Sequence, residues 1–231
     1  MFLTIIDIDR FILGLFNGSS SLFLDSLVTI LTSGLTWIPL YIALLYLVIK
    51  NNETMAQIAL VIGCVALCFV LSHGMSAGIV KPLIGRFRPG NDPIYKYTID
   101  VVGNMRGTDF SFFSSHASNT FSVAVFFILL VRNRLLSLAL VAWAMINCWT
   151  RLYLGVHYPS DILVGMIWGC VVGIIGYSVY TRLYGKLLVE MPIASPQHAV
   201  GKYSTEDVDV VLCTLSFILV CALVGATFTT L

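Results

Sequence analysis

The sequence predicts an all-α protein, a polytopic bundle of transmembrane helices, and three observations support this fold class. Of the 231 residues, 58% are hydrophobic and only 11% are charged, whereas soluble domains carry about 25% charged residues. The mean hydropathy is +0.92. The apolar residues form long runs separated by polar segments, and backbone groups inside a bilayer must be hydrogen-bonded within the segment, as they are in a helix. We therefore expect an integral membrane protein.

The N-terminal portion is expected to lie at the membrane surface. Residues 4–16 place apolar side chains on one side of a helix and three charged side chains on another, and they are too short and too polar to span a bilayer. These features are typical of an amphipathic interfacial helix. Residues 21–33 form a second short apolar segment, which could lie in the interface or enter the bilayer in part; both placements fit the sequence.

Apolar runs in the rest of the chain predict about six spans, since a transmembrane helix needs about 20 residues. The runs cover residues 35–49, 55–80, 116–131, 135–150, 162–180 and 208–230. We interpret residues 1–184 as the main membrane domain, of which residues 1–34 form the interfacial part. Residues 185–231 are interpreted as a polar linker and an extra C-terminal span, which is expected to pack against the outside of the bundle.

The charge and the cysteines narrow the possible partners and cofactors. The net charge is only +1 and the chain has no basic block, so no nucleic-acid partner is expected. All six cysteines lie inside apolar runs, where we expect them to pack as small residues and not to form disulfides. No carboxylate cluster suited to Mg²⁺ accompanies the polar motifs described below, so neither a metal nor another cofactor is expected.

The order of the spans predicts which loops share a side of the membrane. The loops 82–114 and 152–160 are separated by two predicted spans, so they open on the same side. The basic connections on the other side, at Lys50, at Arg132 with Arg134, and at Arg182, mark the cytoplasm by the positive-inside rule. The loop 82–114 is itself basic, but three acidic residues partly offset its charge. We expect the two polar loops to lie outside the cytoplasm.

The segment Trp149–Asp161 contains the first candidate functional residues. It contains an arginine, a histidine and an aspartate at the edge of an apolar core. Placing ionisable groups there costs free energy, so such groups are usually paired and often functional. Arg151 offers an oxyanion a planar fork of donors. Asp161, four residues after His157, is near enough to accept a ring proton and fix the tautomer of the imidazole. The pattern indicates a histidine nucleophile, an orienting carboxylate and an anionic substrate.

Two further clusters are predicted on the same side of the membrane. Lys81 ends one span, and Arg88 follows seven residues later beside a proline. Ser114, Ser115 and His116 stand where a long helix begins, and serines before a helix cap it while its free amides attract anions. Together with Arg151, these residues would form an anion site of the size of a phosphate, with His116 and His157 on either side.

These three clusters resemble the signature motifs of the type 2 phosphatidic-acid phosphatases, in the acid phosphatase and vanadium haloperoxidase superfamily. The family pattern is K-x6-R-P, then P-S-G-H, then S-R-x5-H-x3-D. This chain has Lys81 to Arg88-Pro89, then S-S-H, then R-x5-H-x3-D, in the same order, within a resemblance that covers about residues 20–183. Phe113, Ser115 and Thr150 replace the family's proline, glycine and serine, and none of the three removes a charged or imidazole group.

The resemblance implies a membrane-integrated lipid phosphatase that works through a phosphohistidine. His157 would attack phosphorus, and Asp161 would orient the ring and stabilise its charge. His116 would protonate the leaving oxygen and then activate water. The cations Lys81, Arg88 and Arg151, with the serines Ser114 and Ser115, would bind the phosphate oxygens, so that no metal is required.

The resemblance also implies the class of substrate and the place of action. The substrate would be an envelope lipid, namely undecaprenyl pyrophosphate, phosphatidylglycerol phosphate or phosphorylated lipid A. The S-S-H-A-x-N form of the second motif favours the envelope lipids. The protein would lie in a bacterial inner membrane, with its site on the periplasmic or extracellular face.

Three other functions are compatible with parts of this pattern. A phosphotransferase would form the same phosphohistidine and pass the phosphate to another lipid. A non-catalytic lipid-binding protein would use the anion site for recognition, but binding alone requires cations and not two histidines. A vanadate-dependent haloperoxidase would use similar residues, but so hydrophobic a chain matches it poorly.

Two polar residues that the family pattern does not specify have simpler interpretations. His73 lies about two turns before Lys81 and could approach the site, but a buried, hydrogen-bonded histidine is the expectation for such a position. Arg86 could contact a lipid headgroup, although an ordinary loop charge explains it equally well.

Overall fold

A computed structural model describes residues 5–108, 110–190 and 203–229. Within these ranges the regular structure is helical and contains no β-strand, which confirms the all-α prediction. The first half contains helices α1 (Ile5–Phe16), α2 (Leu22–Thr32), α3 (Ile38–Lys50), α4 (Met55–His73) and α5 (Lys81–Ile84). A 3₁₀ turn, Gly34–Trp37, joins α2 to α3, and a π-helical segment, Gly74–Val80, joins α4 to α5.

The second half is built from four long helices that follow an extended loop. The loop contains three short 3₁₀ turns, at Pro89–Asn91, Tyr95–Thr98 and Val102–Asn104. The helices are α6 (Ser115–Val131), α7 (Arg134–Tyr153), α8 (Pro159–Glu190) and α9 (Thr205–Phe228). The polar linker predicted from residue 185 thus begins later, because α8 continues to Glu190, and residues 191–202 of that linker lie outside the described residues.

The predicted count of six spans is not confirmed by helix length. Four stretches of the described chain are long and apolar enough to cross a membrane, and they are Met55–Asn91, Arg134–Tyr153, Pro159–Leu187 and Thr205–Phe228. The pair Leu22–Thr32 and Gly34–Lys50 passes the same test together but is bent by 64°. This is the geometry of a broken span or a re-entrant loop, and α6 is apolar but shorter than a full span.

Helices α4, α6 and α8 form the central packing unit of the bundle. α6 lies very close to α8 because glycines of α8 face the α6 backbone. A Cβ atom at Gly165 would lie 2.7 Å from the Ser114 carbonyl oxygen, and one at Gly169 would lie 2.6 Å from that of Ser118. Only residues without a side chain permit this approach. The close contact fixes the start of α6 against the start of α8.

The C-terminal helix α9 packs against α2, α3 and α7. Its buried face includes Val211, Leu215 and Ile218, which join the main hydrophobic core. At its N-terminal end, the Asp207 carboxylate accepts a hydrogen bond of 3.0 Å from the Asn51 side chain at the end of α3. The helix is therefore attached to the side of the bundle that α2 and α3 form. A role separate from residues 1–184 stays a prediction.

Candidate active site

Most of the charged and imidazole groups of the three motifs surround one cavity of about 570 Å³. The residues that line it are His73, Lys81, Arg88, Met105, Gly107, Ser115, His116, Asn119, Arg151, Leu154, Val156 and His157. Of the eight residues predicted for the site, six are in this lining. The other two, Ser114 and Asp161, are buried directly behind it.

The first motif supplies two buried cations. Lys81 begins α5 and is 5% exposed, and Arg88 lies in extended backbone just before the Pro89–Asn91 turn and is 8% exposed. The Arg88 guanidinium is covered by Gly107, whose φ is +68° and where a Cβ atom would lie 2.7 Å from Nε. Glycine at position 107 is therefore required both by its backbone angle and by the space that Arg88 occupies.

The geometry assigns the tautomer of His157. Nη1 of Arg88 lies 3.4 Å from His157 Nε2 and also donates to the Val156 carbonyl oxygen at 3.1 Å. Because a guanidinium can only donate, Nε2 must offer its lone pair and the ring proton must be on Nδ1. Nε2 is also the ring nitrogen on the Arg88 side of the site. The arrangement suits Nε2 as a nucleophile.

Asp161 holds the other edge of the His157 ring. Its Oδ2 lies 3.6 Å from His157 Nδ1 and accepts hydrogen bonds from the Tyr158 amide, at 2.8 Å, and from the Ser111 hydroxyl. Ser111 Oγ is in turn 3.4 Å from Nδ1, where it can accept because its own proton is donated to Asp161. The ring proton of His157 therefore faces two oxygens that fix the imidazole plane.

Sequence reasoning missed Ser111 and gave Arg86 no definite role. Nη1 of Arg86 donates to Asp161 Oδ1 at 2.8 Å, and its Nη2 reaches Asp9 of α1 at 2.6 Å. Its guanidinium carbon lies 4.0 Å from the centre of the Tyr158 ring. Arg86 thus holds Asp161 by the carboxylate oxygen that does not face His157. Its position two residues before Arg88 was the available signal, but nothing in the sequence linked it to Asp161.

The second motif places its residues in two different roles. The Ser114 hydroxyl accepts from the Ala117 amide and caps α6, while the Ser114 amide donates to the Asp161 carbonyl oxygen at 3.0 Å. Ser115 faces the cavity, and its hydroxyl is 2.8 Å from that of Ser76 in the π-helical segment. His116 lines the cavity with an exposed side chain. Ser114 therefore caps α6 behind the cavity, and its contact with phosphate stays a prediction.

Arg151 in the last turn of α7 reaches into the cavity from a third direction. Its Nη2 donates to the Thr32 carbonyl oxygen at the end of α2, at 3.1 Å. Its Nε is buried and has no hydrogen-bond acceptor among the described residues. A buried donor in this state is costly. A substrate oxygen in the cavity can supply the missing acceptor.

Two polar side chains outside the motifs also line the cavity. The expectation of a buried, hydrogen-bonded His73 is wrong, because the side chain is exposed and faces the same cavity as His116. Asn119, one turn after His116, has a buried amide oxygen with no hydrogen-bond donor among the described residues.

The pKa of His157 is lowered to about 4, mainly because the ring is buried. The contact with Asp161 opposes this shift, and the charges of Arg88 and Lys81 reinforce it. Since the charged form is disfavoured, the ring takes up a proton only as the pH falls through about 4. It is neutral at physiological pH, as a nucleophile must be.

We expect ¹⁵N NMR of histidine-labelled protein in detergent to show His157 neutral, with its proton on Nδ1, from about pH 8 to about pH 5. The signal can be assigned by substitution, since the chain has only four histidines. Lys81→Met should raise the pKa of His157, because it removes a nearby positive charge. A midpoint near the ordinary value of about 6.5 in the unaltered protein would contradict this environment.

The protein is an all-α membrane protein in which a buried histidine–carboxylate pair lies beside a cationic cavity. These are the features of a membrane enzyme that acts on a phosphate ester. The family model described as PAP2 superfamily matches residues 57–184. This is more than half of the chain, and the chain belongs to that family. The resemblance to the type 2 phosphatidic-acid phosphatases is thereby confirmed.

Characterised relatives act on lipids. The chain is 37% identical to the lipid A 4'-phosphatase of Bacteroides thetaiotaomicron over 87% of its own length and 88% of the relative's. It is 27% identical to the lipid A 4'-phosphatase of Porphyromonas gingivalis, over 93% and 88% of the two chains. A lipid A 1-phosphatase of Rhizobium johnstonii is 30% identical over 59% of this chain and 56% of its own. No solved structure matches significantly.

Family and relatives together define the general activity. The protein is a membrane phosphatase of the PAP2 type that acts on lipid phosphate.

Proposed function

We propose that this protein hydrolyses the 4'-phosphate of lipid A. The observation that carries the proposal is the similarity to a lipid A 4'-phosphatase, at 37% identity over 87% of the chain. The lipid A 1-phosphatases and a decaprenylphosphoryl-5-phosphoribose phosphatase share shorter stretches, 59% and 47% of the chain. The cavity of about 570 Å³ also exceeds the space that a bare phosphate needs, which leaves room for part of a sugar.

The proposed reaction has two displacements at phosphorus. In the first, His157 Nε2 forms a bond to phosphorus while the bond to the sugar oxygen breaks, and the protonated form of His116 gives that oxygen a proton and becomes neutral. In the second, His116 takes a proton from water, and the water oxygen displaces His157 to release inorganic phosphate. Asp161 keeps the proton of His157 on Nδ1 and stabilises the positive ring of the phosphohistidine. The histidine pair is thus regenerated.

Lys81, Arg88 and Arg151 are proposed to bind the three non-bridging oxygens. Charge accumulates on these oxygens in phosphoryl transfer, and buried donors that are already oriented stabilise it more than water does. Arg151 suits this role because its buried Nε–H group has no hydrogen-bond acceptor among the described residues. This arrangement supports metal-independent catalysis, and full activity in EDTA is its test.

The site is proposed to open on the periplasmic side of the inner membrane. The support is the distribution of basic loops, with Arg132 and Arg134 on the side of the bundle away from the cavity. In a variant whose native cysteines are replaced, Asn91→Cys should react with an impermeant reagent in spheroplasts. A cysteine at Asn133 should react only after permeabilisation. The reverse pattern would place the site in the cytoplasm.

A defined lipid panel tests the substrate. The purified protein is incubated with bisphosphorylated lipid A, with its 1-phosphate and 4'-phosphate monophosphoryl forms, with undecaprenyl pyrophosphate and with phosphatidylglycerol phosphate. Mass spectrometry should show loss of the 4'-phosphate only, from lipid A forms that carry it. Preferred cleavage of the 1-phosphate or of the prenyl pyrophosphate would overturn the proposed substrate.

The same assay separates hydrolysis from transfer. Inorganic phosphate should equal the amount of dephosphorylated lipid, because water is the proposed acceptor. If phosphate instead accumulates on a second lipid, the protein is a phosphotransferase that uses the same site.

A further inference from the structure

Asp9 is a buried carboxylate on a helix that is otherwise largely exposed. In α1 only Asp9 and Leu13 are buried, and Asp9 is 3% exposed. Its oxygens accept hydrogen bonds from Arg86 Nη2 at 2.6 Å, from the Ser160 amide at 2.9 Å and from the Ser160 hydroxyl at 2.5 Å. A carboxylate removed from water must be compensated in this way. Both partner residues lie inside the motifs, Arg86 between Lys81 and Arg88 and Ser160 between His157 and Asp161.

Arg86 lies between two carboxylates. Its Nη2 is bound to Asp9, and its Nη1 donates to Asp161 Oδ1 at 2.8 Å and to the Ser160 hydroxyl at 2.7 Å. One positive charge is thus shared by two negative ones. The remaining oxygen of Asp161 faces His157. Asp9, Arg86, Asp161 and His157 therefore form a continuous chain of polar contacts from α1 to the site.

We infer that Asp9 is a positioning residue for the reaction, which acts through Arg86 on Asp161 and so on the nucleophile His157. The inference rests on the proposed function of His157. Without the Asp9 charge, Arg86 would pair with Asp161 alone and neutralise more of the negative charge that faces His157. The imidazole becomes positive when it binds phosphorus, so its stabilisation depends on that charge. Asp9 also prevents Arg86 from pulling Asp161 away from the ring.

The competing role for Asp9 is to anchor α1. That helix has other attachments, because Leu13 packs with Ile99 and Tyr158, and Asn17 donates to the Tyr153 carbonyl oxygen at 2.7 Å. An asparagine at position 9 keeps an acceptor for Ser160 but loses the charge that Arg86 pairs with. Asp9→Asn therefore separates the electrostatic role from the anchoring role.

The test compares Asp9→Asn with Asp7→Asn, the same substitution on an exposed residue of the same helix. Asp9→Asn should lower kcat on the lipid A substrate about 10- to 100-fold, the usual cost of misplacing a reacting group, with KM nearly unchanged because the phosphate-binding cations are untouched. Asp7→Asn should stay within about twofold of the parent. Equal kcat per folded molecule in all three proteins would overturn the inference.

A double substitution tests the route through Arg86. Arg86→Gln should lower kcat on its own, because Asp161 loses the donor that holds its Oδ1 in place. Adding Asp9→Asn should cause little further loss, because Asp9 is proposed to act on Asp161 only through Arg86. If the loss of kcat in the double variant equals the product of the two single losses, the proposed route through Arg86 is wrong. If Asp9→Asn does not fold, Asp9→Glu replaces it, since this change keeps the charge and displaces the carboxylate.

A readout without turnover separates this inference from the proposed function. The ¹⁵N shift of His157 Nδ1 should change in Asp9→Asn and not in Asp7→Asn. An unchanged shift in Asp9→Asn overturns the positioning role whether or not a lipid is hydrolysed. Failure of the unaltered protein to cleave any lipid of the panel, with the shift change present, overturns the proposed function alone.

Discussion

His157→Ala is expected to abolish turnover while the protein remains folded. His157 Nε2 is the proposed bond-forming atom, and no neighbouring residue can replace an imidazole that Asp161 orients from behind. Loss of a covalent nucleophile costs about 10⁴-fold or more in kcat. The measurement is phosphate release from lipid A in detergent or nanodiscs, with thermal melting as the check on folding. His198→Ala is the matched control, at a position outside all three motifs and outside the described residues.

The phosphoenzyme gives a second measurement of the same prediction. Substrate labelled with ³²P should leave an acid-labile, alkali-stable label on the unaltered protein, as a phosphohistidine does, and none on His157→Ala. Near-normal phosphate release by His157→Ala would show that the nucleophile is elsewhere. A stable label on that variant would lead to the same conclusion.

Arg151→Lys is expected to lower kcat/KM by about 10²- to 10³-fold, although it keeps the positive charge. Arg151 binds the Thr32 carbonyl oxygen with one end of its guanidinium, at 3.1 Å, and its buried Nε is left for the substrate. A lysine ammonium is a single point and cannot serve both places in a fixed geometry. The measurement is kcat/KM on lipid A micelles of fixed composition.

The control for this change is Arg134→Lys. Arg134 lies at the opposite end of α7, away from the cavity, and is exposed. The two substitutions therefore share helix and chemistry but differ in burial and in distance from the cavity. Arg134→Lys should leave kcat/KM within about twofold. If Arg151→Lys is equally active, charge alone suffices at this position and the planar fork has no role.

The main part of the site could be predicted because polar residues stand out in an apolar chain. Lys81, His116 and Arg151 each lie at one end of a long apolar run, and His157 lies in the short loop between two such runs. A charge or an imidazole at these places is costly and therefore informative. Their order also matches a family motif. The structure brings all four to one cavity, as the sequence predicted.

The supporting residues could not be predicted, because tertiary packing alone singles them out. Asp9 and Arg86 are 77 positions apart, and the charged face of α1 also contains Asp7 and Arg10, which carry equivalent signals in the sequence. Ser111 lies in an irregular loop with no periodicity to orient it. Local patterns carry no information on such contacts.

The predicted count of six spans is not confirmed, and the predicted burial of His73 is wrong, for reasons of another kind. The span count assumes straight, regular helices with a fixed rise and turn. The π-helical segment before Lys81 and the 64° bend between α2 and α3 break that assumption. Apolar composition shows that a segment is in the membrane, but it does not show how the helix bends there. The prediction for His73 relies instead on the usual state of a lone histidine in an apolar run.

The contact between α6 and α8 limits how a lipid can reach the cavity. The glycines of α8 bring the two backbones so close that even a methyl group at Gly165 or Gly169 would meet a carbonyl oxygen of α6. An acyl chain is wider than a methyl group, so no lipid can slide sideways through this seam. A lipid therefore has to reach the cavity from a side other than the contact between α6 and α8. The same close packing holds the start of α6, with His116, at a fixed distance from the start of α8, with Asp161.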